Sequence, residues 1–525
     1  MHITNLKFGL VKFLLKKVLE GFMKKFFITL LASLLVISAN AADKVKLSRN
    51  QKEFQKIIGD SFISSQTVEY KDIYPEFGYV GYYKGEITYE QMQEDLDHLE
   101  YLLRTAYAGY KEMLEKNFDF FTFSKKILKR FAGQAVIQSR DFGKAIYQEL
   151  SNYIEDSHLT IFLGQFQNQH LHFAQHFNIY YTDVFVQESE KDRYPEENLF
   201  PYFHQGKLCY RLGKLSPEPV EEVLGHKVKL FPVDTPRSVP YYFENESSFS
   251  AYIRLEAVIG SGKAAEISFD KFMTAGKRYM GKSFIIVDLR TNQGGFPKYG
   301  YSFASSFYFD YSKTDNPKTH QLMDYTLLSF VEKNYENSFK IDSPATSQWE
   351  NGAVLHRDGI DKKTAERIKK IYNLMQKEPQ MIYSKEFSVN EDFYNKMKKA
   401  NTKILNTPPV FNGKFIVLQD RNSSSASEEF IRTLSSLFGR DRVIVAGENS
   451  NGCITYGAMM DFNLPNSFLT LHIAGASLVE MINKLEGWHG EGKGIYPDYW
   501  STDQDMAETV YCLTKDEAIV QYIKG

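Results

Sequence analysis

From Ile87 to about Tyr153 the apolar residues return at helical spacing, with Met92, Leu96, Leu99, Leu102 and Leu103 forming one stripe. That is the pattern of helices that each bury one face. Thr88 and Gln91 stand where a capping pair opens a helix. Beyond this region the period changes. Ile154 to Leu163 passes from helical to alternating, and Tyr180 to Val186, Lys207 to Arg211 and Ala251 to Leu255 read as strands separated by Pro- and Glu-rich turns. Three short continuous apolar runs follow: Phe284 to Val287, Phe415 to Leu418 and Val443 to Ala446. Such runs suit strands covered on both faces in an α/β sheet. Glu428 to Leu437 reads as a helix between two of them. A long insertion separates Gly295 from Gly413 and carries a charged helical pattern from Lys362 to Lys377. It reads equally as a lid over a cleft or as an elaborated surface subdomain.

The loops that end these buried runs carry the candidate chemistry. After the first comes D-L-R-x-N-x-G-G, closing on Gly294 and Gly295. Glycines there accept positive φ and leave a backbone N–H open to a ligand, as an oxyanion donor requires. After the second comes a serine cluster, in which Ser425-Ala-Ser-Glu428 fits the capping box of a helix. A serine at a helix N-terminus also lies where N–H groups and the helix dipole favour negative charge, so the N–H of Ala426 is a second oxyanion candidate. A serine hydroxyl needs a base. Among twelve histidines, His158 stands out because it lies where the helical segment gives way to the alternating one.

Taken in order, the D-L-R-x-N-x-G-G loop, the S-A-S-E helix start, Gly447-Glu-Asn-Ser-Asn-Gly452 and Gly494-Ile-Tyr-Pro-Asp498 resemble the tail-specific, or C-terminal processing, serine peptidase family. The resemblance spans roughly residues 85 to 500. In the processing branch of that family a lysine directly follows the G-E-x-T-x-G loop and acts as the base, but Cys453 stands at that position here. The tricorn-like branch uses a serine-histidine pair, a nucleophilic serine and a glutamate shortly before G-x-x-P-D. Carried over, the resemblance implies Ser157 and His158 as the pair, Ser425 as nucleophile and Glu491 as acid. His158 would take the proton of Ser425, Gly294 or Gly295 with Ala426 would bind the oxyanion, and Ser157 and Glu491 would act behind them. Ser423, Ser424 and Ser427 compete for the nucleophile, Glu486 and Asp498 for the acid, and His489 for the base. Cys453 is read as a neutral packing residue rather than a thiol nucleophile. No cofactor and no metal are expected.

The resemblance implies a crotonase-like α/β spiral core at 281–500, with the insertion at about 299–410. A helical bundle at 86–165 would deliver the Ser-His pair, and a mixed α/β region would occupy 166–280. Many family members carry a peptide-binding PDZ module before the core, but no clear carboxylate-binding glycine loop occurs there. The segments 42–85 and 501–525 flank these units. The implied activity is peptide-bond hydrolysis on peptide or protein substrates. A non-catalytic peptide- or ligand-binding descendant and an acyl-ester hydrolase are the alternatives.

Met23-Lys-Lys, the apolar run Phe26 to Ile37 and Ala39-Asn-Ala41 form the three regions of a secretory signal over 1–41, with either Met1 or Met23 as the start. Export to the periplasm or the cell exterior is expected, with membrane contact only through an uncleaved signal. At 525 residues the chain exceeds a single domain, and 41 Phe and 34 Tyr can fill sizeable cores. Lys+Arg 63 against Asp+Glu 65 gives no basic excess, which argues against nucleic acid as partner. Three cysteines, Cys209, Cys453 and Cys512, are too few for a disulfide framework, leaving at most one pair.

Overall fold

A computed structural model of the chain describes residues 85–105, 107–163, 170–230, 242–256, 263–308, 340–341, 387–388, 409–483 and 485–523. The signal region and the charged pattern at 362–377 lie outside the described residues, as does nearly all of the insertion.

The apolar stripe is the inner face of a helix. Strand β1 (Glu86–Thr88) runs into α1 (Tyr89–Thr105), and the junction is a reciprocal cap. Gln91 N–H donates to Thr88 Oγ1 at 3.2 Å, and Thr88 N–H donates to Gln91 Oε1 at 3.0 Å. Met92, Leu96, Leu99, Leu102 and Leu103 are all buried, each removal from water stabilising by about 1.5–3 kcal/mol before entropy is counted. They pack with residues of α2 (Tyr110–Glu115), α3 (Phe120–Arg130), β2 (Val136–Gln138) and α4 (Ser139–Leu150) in one core.

Two short strands, β3 (Thr160–Phe162) and β4 (His170–His172), follow the segment that holds Ser157 and His158. The mixed region contributes β5 (Asn178–Val186), β6 (Leu199–His204) and β7 (Lys207–Ser216), which form an antiparallel sheet in the order β5-β7-β6, and the small hairpin β8 (Glu222–Val223) and β9 (His226–Lys227).

Next come β10 (Tyr242–Glu246), β11 (Ser250–Leu255), α5 (Lys263–Met273), α6 (Ala275–Tyr279), β12 (Phe284–Asp288) and α7 (Lys298–Tyr308). Inside the insertion, β13 (Lys340–Ile341) and β14 (Phe387–Ser388) pair with each other. The late half supplies β15 (Lys414–Gln419), α8 (Ala426–Phe438), β16 (Val443–Gly447), β17 (Tyr456–Asn463), β18 (Thr470–Ser477), α9 (Val479–Ile482), β19 (Tyr499–Trp500), α10 (Met506–Thr514) and α11 (Glu517–Val520).

The central sheet has the order β10-β11-β12-β15-β16-β19, and every pair from β11 onward is parallel. The three apolar runs are its inner strands, and their side chains fill cores on both faces, which explains why they show no alternation. The fold is therefore mixed α/β. Phe303, Phe307, Phe411, Phe415, Phe430 and Phe438 interlock on one face, where α7 and α8 lie. In the second sheet β18 pairs with β17 and β3, setting His472 opposite Thr160 and Leu471 opposite Ile161. This pairing carries the end of the helical region to the late half of the chain. Cys209, Cys453 and Cys512 are all free thiols, so the single disulfide that the sequence left open does not form.

Candidate active site

Ligand sites of parallel sheets lie beyond the carboxyl ends of the strands, and here three adjacent strands end together. From β12 emerges the 289–295 loop, from β15 the 420–425 loop and from β16 the 448–455 loop. The first is held by its own motif. Burial opposes ionisation of Asp288, but Arg290 and Arg254 hold its carboxyl far below the usual range, and Arg290 is clamped between Asp288 and Asp503. Asn292 then organises the turn: Nδ2 donates to Leu255 O at 2.8 Å, and Oδ1 accepts Gly294 N–H at 2.9 Å. Gly294 has φ +89, and a Cβ there would stand 2.6 Å from Ser424 O, 2.7 Å from Ala426 N and 2.9 Å from Ser425 Cβ. Only a glycine lets the two loops meet this closely.

Ser425 lies at the strand-to-helix turn with φ 53 and ψ −116, a conformation that costs a non-glycine residue about 1–3 kcal/mol and persists only where neighbours enforce it. The enforcing contacts are Gly294 and Glu428, whose Oε2 accepts Ser425 N–H at 3.0 Å. Hydrogen bonds separate Ser425 from its competitors. Ser423 Oγ donates to Leu289 O, Ser424 Oγ to Gln293 O and Ser427 Oγ to Asn292 O, at 2.8, 3.0 and 2.7 Å. Among the described residues no such acceptor holds the Ser425 hydroxyl proton. Ala426 is the first residue of α8, where a backbone N–H has no intrahelical acceptor.

Glu428 does more than cap the helix, a role its position in S-A-S-E did not reveal. It is fully buried. Besides Ser425 N–H it accepts Cys453 N–H on Oε2 at 2.8 Å, and Gly452 N–H at 2.9 Å and the Ser450 hydroxyl on Oε1. One carboxyl thus ties the serine turn to the loop after β16. Burial pushes it up to about 7, against the pull of these donors toward the carboxylate. That loop in turn packs on the glycines before Tyr496: Gly452 has φ +78, and a Cβ there would lie 2.4 Å from Gly492 N.

Ser157 and His158 arrive at the same loop. The Ser157 hydroxyl donates to Gly452 O at 2.7 Å, and its N–H to Glu491 Oε2 at 2.9 Å. Glu491 Oε1 accepts Thr455 N–H at 2.8 Å. Asp156 Oδ1 accepts the N–H groups of His158 and Leu159 at 2.8 and 3.1 Å, which sets the backbone of the pair. The imidazole of His158 makes its hydrogen-bonding contact with Cys453, Nδ1 to Sγ at 3.3 Å, and no direct bond to Ser425 occurs among the contacts of the described residues. Burial, followed by His472 and His172, pushes His158 down to about 3, so the ring is neutral. No local pattern signals the Cys453 contact, because it depends on side chains 295 residues apart.

The remaining competitors stand elsewhere. Asp498 accepts Val445 N–H and pairs with Arg440, Glu486 is exposed, and His489 stacks on Tyr496. No group of three or more His, Cys, Asp or Glu side chains is placed to hold a metal among the described residues.

Residues 250–500 match the sequence pattern of peptidase family S41. Over these residues the chain carries the S41 peptidase pattern. It is a serine-type peptidase, and its substrates are peptides or proteins. No curated protein matches the chain. Among solved structures it is similar to mature CPAF, at 14% identity over 83% of this chain and 98% of that one with a TM-score of 0.39. The photosystem II D1 C-terminal processing protease gives 12% identity, 83% and 97% coverage and a TM-score of 0.35. A protein of Parabacteroides merdae ATCC 43184, described as a candidate peptidase, gives 12%, 84%, 98% and 0.37.

The buried acids beneath the site make its stability depend on pH. Burial, then the neighbouring Glu491, raises Asp156 from 3.8 to about 8, and burial raises Glu491 as well. The folded state therefore holds a proton that the unfolded chain releases. This contribution is complete below pH 3.8 and is lost as pH rises through 8. His158 works oppositely, but only below 6.5. The midpoint of thermal unfolding is expected to fall between pH 6.5 and 8, and Asp156→Asn, which keeps a carbonyl for both N–H donors, is expected to flatten that slope. An unchanged slope in the variant would remove Asp156 as its source.

Proposed function

We propose that this S41 peptidase cleaves peptide bonds with Ser425 as nucleophile and His158 as general base. The Ser425 oxygen attacks the substrate carbonyl while its proton passes to His158. The negative charge that develops on the carbonyl oxygen is received by the N–H groups of Gly295 and Ala426, since that of Gly294 is committed to Asn292. His158 then returns the proton to the leaving amine, and water repeats the sequence on the acyl-enzyme. Ser157 and Glu491 hold the pair in place from behind.

The supporting observation is the continuous hydrogen-bonded path from Ser425 through Glu428 to Gly452 and Cys453, and from these to Ser157, His158 and Glu491. In resting enzymes the hydrogen bond between base and nucleophile is often long or poorly aligned and tightens only in the complex with substrate. In this reading the core at 281–500 is the crotonase-like spiral of the family, the helices at 86–165 deliver the pair, and the protein is exported. The test is a fluorophosphonate probe on the folded protein, with the modified residue mapped by mass spectrometry. Labelling at Ser425 is expected. No labelling across a range of pH would favour a peptide-binding descendant.

A further inference from the structure

Cys453 occupies the place where a lysine base would stand, yet its sulfur lies 3.3 Å from His158 Nδ1. The thiol is buried, and its backbone N–H is fixed on the same carboxylate oxygen that holds Ser425 N–H. The sulfur is thus placed relative to both proposed partners. An imidazole that takes a proton at one nitrogen needs a partner at the other to set its tautomer, and that partner is commonly a carboxylate. Here, among the contacts of the described residues, no neighbouring carboxylate meets the ring, although Asp156 Oδ2 is buried without a hydrogen-bond partner. Asp156 Oδ1 accepts two backbone N–H groups, both oxygens of Glu491 accept backbone N–H groups, and Glu428 is filled by four donors. The other titratable groups facing the ring are His172 on β4 and His472 on β18. His172 Nδ1 bonds Thr160 Oγ1 at 3.0 Å, and His472 Nδ1 bonds Asp461 at 2.6 Å.

We propose that Cys453 is the positioning residue of the base: its sulfur accepts the Nδ1–H of His158, so that the lone pair of Nε2 is the one offered to Ser425. The inference rests on the reading of His158 as base. Burial, then Glu491, Glu428 and Asp156, pushes the thiol well above its ordinary value. It therefore stays protonated as a neutral acceptor and is not the thiolate that a cysteine nucleophile requires. The sulfur forms and breaks no bond to substrate. Its function is to select one tautomer and hold the ring plane, which simple packing would not do.

The experiment compares Cys453→Ala and Cys453→Ser with the wild-type full chain, on a peptide that the wild type cleaves and with fluorophosphonate labelling of Ser425. For the alanine variant kcat is expected to fall roughly 10- to 100-fold, by analogy with loss of the partner that orients a metal-bound histidine, with KM within about two-fold of wild type by the logic of a transition-state-only loss. Labelling at Ser425 is expected to stay stoichiometric but slower, which reports that the site has folded. The serine variant keeps an acceptor at Nδ1 and is expected to recover most of the loss. An alanine variant with wild-type kcat and pH profile would reduce Cys453 to a packing residue and overturn the proposal. So would loss of activity in both Cys453 variants while Ser425→Ala still turns over, since the thiol would then be the nucleophile. Failure of the underlying reading is separable: in that case His158→Gln would match wild type whatever Cys453 does.

Discussion

Ser425→Ala is expected to leave a folded protein with no measurable turnover, a loss of about 10⁴- to 10⁶-fold in kcat, as follows when the attacking oxygen of a serine hydrolase is removed. The size follows from what remains. Oxyanion donors and substrate contacts survive in the variant, so some acceleration over water persists, but no acyl-enzyme can form. Substrate affinity should change little, because the hydroxyl engages the carbonyl carbon only as the bond forms. Stability should hold or rise, since the helix start is maintained by the Glu428 bond to the backbone N–H of residue 425, which alanine retains. The measurement is peptide hydrolysis by Ser425→Ala and, as a control, Ser424→Ala, whose hydroxyl is bound to Gln293 O. Activity surviving in Ser425→Ala and vanishing in Ser424→Ala would transfer the nucleophile to the neighbour.

His158→Gln carries the second large effect. Glutamine can occupy part of the imidazole's space but cannot take up a proton near neutral pH, so kcat is expected to drop by roughly 10³- to 10⁶-fold with KM nearly constant. The wild-type pH profile supplies the companion test. Because burial and the nearby His472 and His172 push His158 down to about 3, the ring stays unprotonated as pH falls below the ordinary 6.5. The acid limb of kcat/KM should therefore lie below 6.5, and the residual activity of the variant should lack it. A wild-type limb centred at or above 6.5 would show either that another group titrates or that substrate binding restores the basicity of the ring.

Much of this arrangement was legible in the sequence, because local rules and the global fold agree there. The Thr88–Gln91 cap, the stripe of α1 and the uninterrupted apolar runs of β12, β15 and β16 each follow from short-range chemistry. The loops ending those strands were recognisable from the glycines and serines that close packing demands. What stayed hidden was the connection between loops. Glu428 read as half of a capping box, whereas its four donors come from residues up to 25 positions away. Cys453 read as packing, because its contact with His158 arises only when β3 pairs with β18 at a register that no local pattern encodes. Gly294 read as an oxyanion donor, but its N–H is claimed by Asn292, two residues earlier. Glycine flexibility and hydrogen-bond commitment are separate properties, and only the first is visible in a motif.

The antiparallel match of Thr160–Phe162 with Thr470–His472 also has a bearing on timing. A ribosome delivers His158 before a third of the chain is made and then must add more than 300 residues before Glu491 exists to meet Ser157. Any nascent or clipped form ending ahead of the closing strand lacks both the partner of β3 and the carboxylate that Ser157 N–H meets.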